Sequence, residues 1–145
     1  MAEEIGVASG LVRLSFLVQS VYSEVCQEFD LTPQQAQLLC VLADSESNMA
    51  SIGQKLGLEK SSISGLVDRV EKKGLLRRLQ SSEDGRSVTV ELTKSGAKIA
   101  SAFHAKTTSR LNETVSCMPA DVRRTFASIA GRIVGEHQVP IVFPD

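Results

Sequence analysis

Asn48-Met-Ala-Ser-Ile-Gly-Gln-Lys-Leu-Gly-Leu-Glu-Lys-Ser-Ser-Ile-Ser-Gly-Leu-Val-Asp-Arg-Val-Glu-Lys-Lys-Gly74, followed by two short apolar runs around Ser81-Ser-Glu-Asp-Gly-Arg-Ser87, decides how this chain folds. Ile52, Leu56 and Leu58 place apolar groups at the end of a short helix and into a turn. Gly53 falls where two crossing helices must approach closely. Gly57 can take φ > 0 at the turn without a Cβ penalty. Ile63, Leu66, Val67 and Val70 then recur at i, i+3, i+4 and i+7, the buried stripe of a second helix. After Gly74, a C-cap signal, Leu76-Arg-Arg-Leu79 reads as a strand and Ser81 to Ser87 as turn chemistry. Val88, Val90 and Leu92 alternate with Thr89 and Glu91, the period of a half-buried return strand. The stretch is a helix-turn-helix followed by a β-hairpin wing.

The stripe on the second helix leaves Lys60, Ser61, Ser62, Ser64, Gly65 and Arg69 on its other face and in its first turn. Short hydroxyl side chains and cations suit a duplex groove, which displays base-edge donors and acceptors between phosphates. The helix N-terminus also favours a phosphate. Lys55, Lys60, Arg69, Arg77, Arg78 and Arg86 are the candidate phosphate neighbours, with Ser87 beside them in the wing. A plain helical hairpin with a solvated face is the bland reading of the two helices, and the wing that follows weighs against it.

At 145 residues the chain is most simply one domain, large enough for a core. Its 42% hydrophobic but only 4% aromatic content, with few strand-like runs, points to a mainly α protein with a small β wing. No apolar run of about 18 residues suggests a membrane span, and no leader pattern is visible, so a cytoplasmic location is expected. The net charge of −1 divides unevenly. Residues 54–94 carry nine Lys/Arg and six Asp/Glu, a balance of +3, against −4 elsewhere. The cations thus gather where groove contact is expected.

Upstream, Leu11, Leu14, Val18, Val21 and Val25 repeat every three or four residues along a helix from about Ala8 to Phe29. Leu17, Tyr22 and Phe29 widen that stripe, which suits core packing or contact with a second copy. Thr32-Pro-Gln-Gln35 is a helix start with a capping box, and Asn48 is a candidate cap for the first helix of the motif. Asp44 to Asn48 reads as a polar loop. Downstream, Thr93 caps a long helix bearing Ile99, Phe103, Leu111 and Val115. Pro119 opens a last helix with Val122, Phe126, Ile129 and Ile133 in line. The apolar tail Val139-Pro-Ile-Val-Phe-Pro144 should pack on its own subunit or a partner.

Leu31-Thr-Pro-Gln-Gln, Leu56-Gly-Leu, Ser61 to Leu75 and Glu83-Asp-Gly-Arg-Ser-Val-Thr-Val-Glu-Leu-Thr-Lys-Ser-Gly96 together resemble the MarR family of bacterial transcription regulators, over roughly residues 10–135. The resemblance implies a homodimer with residues 32–93 as the winged helix lobe and residues 1–31 and 94–145 as dimerisation helices. It implies a recognition helix carrying Lys60, Ser61, Ser62, Ser64 and Arg69 into the major groove of double-stranded DNA. It also matches Arg86 to a wing arginine reaching the minor groove, Asp84 to a wing acid, and Asp68 to a helix acid able to steady the wing arginine. Gly65 departs from the family pattern, where a long polar or basic side chain often stands. Relatives often release DNA on binding a small aromatic or phenolic acid, and Arg13, Phe16 and Gln19 on the first helix are the candidate pocket here.

Other chemistries find less support. Cys26, Cys40 and Cys117 are odd in number and widely spaced, which suits neither a disulfide framework nor a zinc knuckle, though a thiol-based redox switch stays open. His104 and His137 read as plain polar surface or dimer-edge residues, with no ligand spacing around them. There is no phosphate-binding glycine loop, nucleophile elbow or His–carboxylate signature, so neither an enzyme nor a cofactor is expected. A winged helix used only for protein contact remains the rival from another class.

Overall fold

The computed structural model describes residues 2–80 and 87–145. Six helices and three short strands follow in the order α1 (Val7–Glu28), α2 (Pro33–Leu42), β1 (Ser47–Asn48), α3 (Met49–Leu56), α4 (Lys60–Lys72), β2 (Leu76–Gln80), β3 (Val88–Leu92), α5 (Lys94–Thr114) and α6 (Ala120–Glu136). The protein is mainly α with a small antiparallel sheet, as the sequence predicts.

Local chemistry sets the helix starts. Thr32 and Gln35 form a reciprocal capping box: the Gln35 N–H donates to Thr32 Oγ1 at 3.2 Å, and the Thr32 N–H donates to Gln35 Oε1 at 3.1 Å. Asn48 Oδ1 accepts from the Ser51 N–H at 2.7 Å and caps α3. Thr93 Oγ1 accepts from the Gly96 N–H at 3.0 Å and donates to the Gly74 carbonyl at 2.7 Å, so one hydroxyl caps α5 and ties it to the end of α4. Gly57 sits at φ 66°, closing α3 in the left-handed region that its missing Cβ permits.

The sheet order is β1-β3-β2, all antiparallel, with Leu76 opposite Leu92 and Arg78 opposite Val90. The third strand corrects the expected loop: Ser47 and Asn48 pair with Val90 and Thr89. Two residues are too few to show a period, so only the fold reveals them. Pairing on both edges leaves Val90 fully buried, the central inward residue of the wing stem.

One core joins the elements. Leu38, Leu39 and Leu42 of α2 meet Ile52 of α3, Ile63, Leu66, Val67 and Val70 of α4, and Val90. Val25 and Cys26 from the end of α1 and Ala100 and Phe103 from the start of α5 complete it. The lobe core thus draws on residues either side of 32–93. Phe103 receives Tyr22 and Phe29 edge-on, at ring separations of 5.0 and 6.1 Å.

The far ends of the long helices differ. Leu11, Leu14, Leu17 and Val18 of α1 are exposed within one chain, and α6 buries no residue at all. Beyond α6 the tail returns to the lobe. Phe143 packs on the core and stacks on His104 at 4.3 Å, while His104 Nε2 lies in hydrogen-bond contact with the Pro144 carbonyl. Expected as a plain polar surface or dimer-edge residue, His104 is half-buried and seats the C-terminal tail. No helix among the described residues is long and apolar enough to cross a membrane.

Candidate nucleic-acid interface

The α4 stripe of Ile63, Leu66, Val67 and Val70 is buried to within 1% of completion, so its opposite face is fixed outward. Lys60, Ser61, Ser62, Ser64, Asp68 and Arg69 are all exposed there, and Gly65 is half-buried among them. The helix is held at close range to its neighbour: a Cβ added at Gly53 would stand 3.1 Å from the Leu58 carbonyl oxygen and 3.4 Å from Ile63. Glu59 occupies the cap position of α4 without making a side-chain cap bond. Its carboxylate shares the helix N-terminus with any incoming phosphate, which makes that end a poorer anion site than an uncharged cap.

The cations divide into engaged and available ones. Arg78 on β2 donates through Nη1 to Glu71 at 2.8 Å and through Nη2 to Asp68 at 2.6 Å, and its backbone N–H reaches Glu71 Oε2 at 3.2 Å. Burial works against its charge, but Asp68 and Glu71 more than offset this and hold the guanidinium pKa above its ordinary value. Arg77 pairs across the sheet with Glu91. Lys55, Lys60 and Arg69 have no ion-pair partner among the described residues.

This sorting refines the expectation for Asp68. The helix acid holds Arg78, a strand arginine, and Arg86 and Asp84 lie outside the described residues. Arg78 therefore braces the base of the wing against α4, where it had been expected among the phosphate neighbours. Glu71, not singled out from sequence, completes the brace. Its signal was there, since Asp68 and Glu71 at i and i+3 share one helix face. Exposed Ser87 leads into the return strand of the wing, which half-buried Val88 begins.

Arg13, Phe16 and Gln19 are exposed on α1 and enclose nothing within one chain. Arg13 pairs with Glu3 at 2.8 Å, and Phe16 is 67% exposed. Two cavities among the described residues lie elsewhere. A groove of about 850 Å³ runs between α3, the Gly57 turn and the wing base, lined by Met49, Leu58, Lys60, Ile63 and Val88 among others. A smaller one of about 250 Å³ lies beside Cys40, His104 and Pro144.

Cys26 and Cys40 are buried, and burial pushes both thiols up to about 11. A thiol at that value is almost wholly protonated near neutral pH and a poor nucleophile. Cys117 is exposed in the turn before α6. Among the described residues no group of three or more His, Cys, Asp or Glu is placed to hold a metal.

A MarR family model matches residues 29–87, from the end of α1 to the return of the wing. The HTH-type transcriptional regulator YfiV of Bacillus subtilis, itself uncharacterized, is 30% identical over 98 residues, 67% of this chain and 61% of that protein. The match thus spans less than two thirds of the relative's length. Wild-type MarR from E. coli in its apo form superposes with a TM-score of 0.78 at 22% identity, covering 91% of this chain and 99% of that one. NadR in complex with 4-hydroxyphenylacetate superposes with a TM-score of 0.71 at 19% identity, covering 92% and 95%. A family model seated on the winged helix, and the same architecture from α1 to α6, make this chain similar to the MarR family of winged helix-turn-helix proteins.

Proposed function

We propose that this protein is a sequence-specific DNA-binding transcriptional regulator, a repressor that binds a pseudo-palindromic operator as a homodimer. The observation that carries the reading is the outer face of α4, where Ser61, Ser62, Ser64, Lys60 and Arg69 stand exposed on a helix whose apolar side is sealed. Members of the family are non-enzymatic DNA-binding regulators, which supports it. The resemblance adds Arg86 as a minor-groove contact from the wing.

A second copy accounts for the bare apolar rows. Leu11, Leu14 and Val18 on α1 and Val122, Phe126, Ile129 and Ile133 on α6 each remain more than two-fifths exposed in one chain. Such continuous apolar surface is costly in water and is the material of an interface. A small aromatic or phenolic acid is the proposed effector. The NadR complex with 4-hydroxyphenylacetate supports that ligand class. Arg13, Phe16 and Gln19 would form a site only with the partner's surface facing them.

Titrating the full chain against duplex DNA at several salt concentrations tests the reading. The expected outcome is binding by a dimer, with log affinity falling linearly against log salt. Arg86→Ala should weaken binding to all sequences. A winged helix serving only protein contact would give no sequence-selective duplex binding.

A further inference from the structure

Gly65 stands at the centre of the outer face of α4. At about 100° per residue, Ile63, Leu66, Val67 and Val70 average to one direction, and Ser61, Gly65 and Lys72 point the opposite way. A Cβ built on Gly65 would lie 3.3 Å from Nη1 of Arg69. Helical side chains lean toward the N-terminus, so a residue covers the turn before its own Cα. Arg69 follows this rule: its guanidinium lies over the spot that a side chain at position 65 would fill. It is exposed, and among the described residues no carboxylate holds it. The adjacent Asp68 is taken by Arg78 at 2.6 Å.

We propose that Gly65 and Arg69 form one base-reading unit, in which the glycine clears the middle of the α4 face and the Arg69 guanidinium, laid across it, pairs with O6 and N7 of a guanine. The assignment rests on the DNA-binding reading above. It gives Arg69 a role different from that of a phosphate contact. A phosphate neighbour belongs at the flank of a recognition helix, where the backbone strands run. A guanidinium folded back along the helix axis gives up lateral reach and occupies the part of the face nearest the base edges. Its planar fork matches the paired acceptors of guanine, the commonest specific contact in the major groove. The missing side chain at position 65 is thereby explained as space given to Arg69.

The test selects bound sequences from a random-sequence duplex pool with the full chain and with Arg69→Lys, Arg69→Ala and Gly65→Met in parallel. Arg69→Lys keeps the charge and removes the fork. The native chain should select guanine at one symmetry-related pair of positions. Arg69→Lys should lower that preference by about 5- to 150-fold, other positions being retained. Gly65→Met, which fills the vacated space, should lose the same preference and no other. A retained guanine preference in Arg69→Lys overturns the proposal. So does an Arg69→Ala variant that weakens all sequences alike and makes the salt slope shallower by about 1, the mark of a phosphate contact. If the native chain enriches no sequence, the DNA-binding reading itself fails, a result distinct from both.

Discussion

Arg78 braces two elements at once through the carboxylates it holds. Its two carboxylate partners lie on the helix expected to read DNA, while its own backbone belongs to the strand leading into the wing. The pair therefore sets the angle between two contacting elements. Arg78→Ala should lower unfolding free energy in urea by about 1 kcal/mol, modest because the three side chains are partly exposed. It should also weaken DNA binding, because Asp68 is left uncompensated beside Arg69. The buried thiols make a different prediction. Cys26 and Cys40 titrate at about 11 in the fold against 9.0 for a free thiol, so the native state holds more protons between those values. Stability from this source is fully present below about pH 9 and falls as pH rises toward 11. Thermal denaturation against pH should show that decline, smaller in Cys26→Ser. A pH-independent melting point from 8 to 11 would contradict the burial of the two thiols.

At the scale of elements, what could be read from sequence was whatever is encoded within a turn or two of the chain. The Thr32–Gln35 box, the Asn48 and Thr93 caps, the left-handed Gly57 and the α4 stripe all rest on contacts three or four residues apart. Features decided by distant partners were not legible. Strand β1 exists because Val90 and Thr89 of β3 arrive beside it. His104 stacks on Phe143 because the tail folds back nearly forty residues later. Gly96 carries no local signal of its own, yet a Cβ there would stand 1.8 Å from the Leu75 carbonyl oxygen, where the first turn of α5 passes the residue that leads into β2. In the candidate site, sequence identified the cations but not which were already neutralised, since ion pairing is a choice among neighbours in space. Helix α6 has the pattern of a buried helix and no burial within the chain. A 17-residue helix without packing is marginal in water. Phe126→Glu, at a position 53% exposed in one chain, should therefore shift sedimentation from dimer to monomer and lower helical circular dichroism. An unchanged dimer would remove α6 from the interface.

The whole molecule divides its labour between a charged lobe and apolar helix ends. The excess of +3 lies in residues 54–94, and the −4 elsewhere divides into −6 over residues 1–53 and +2 over residues 95–145. A basic excess over the recognition helix and wing would steer that stretch toward a duplex. An effector acting between the copies would need to favour the non-binding arrangement by several kcal/mol to empty an operator. Everything about such control depends first on two α4 helices being presented with two-fold symmetry. The most direct measurement is the arrangement of sequences recovered by the native chain from random duplex DNA. Two inverted half-sites about one helical turn apart, ~10 bp centre to centre, are expected. Recovery of a single unpaired half-site, or of directly repeated ones, would contradict a symmetric pair of recognition helices.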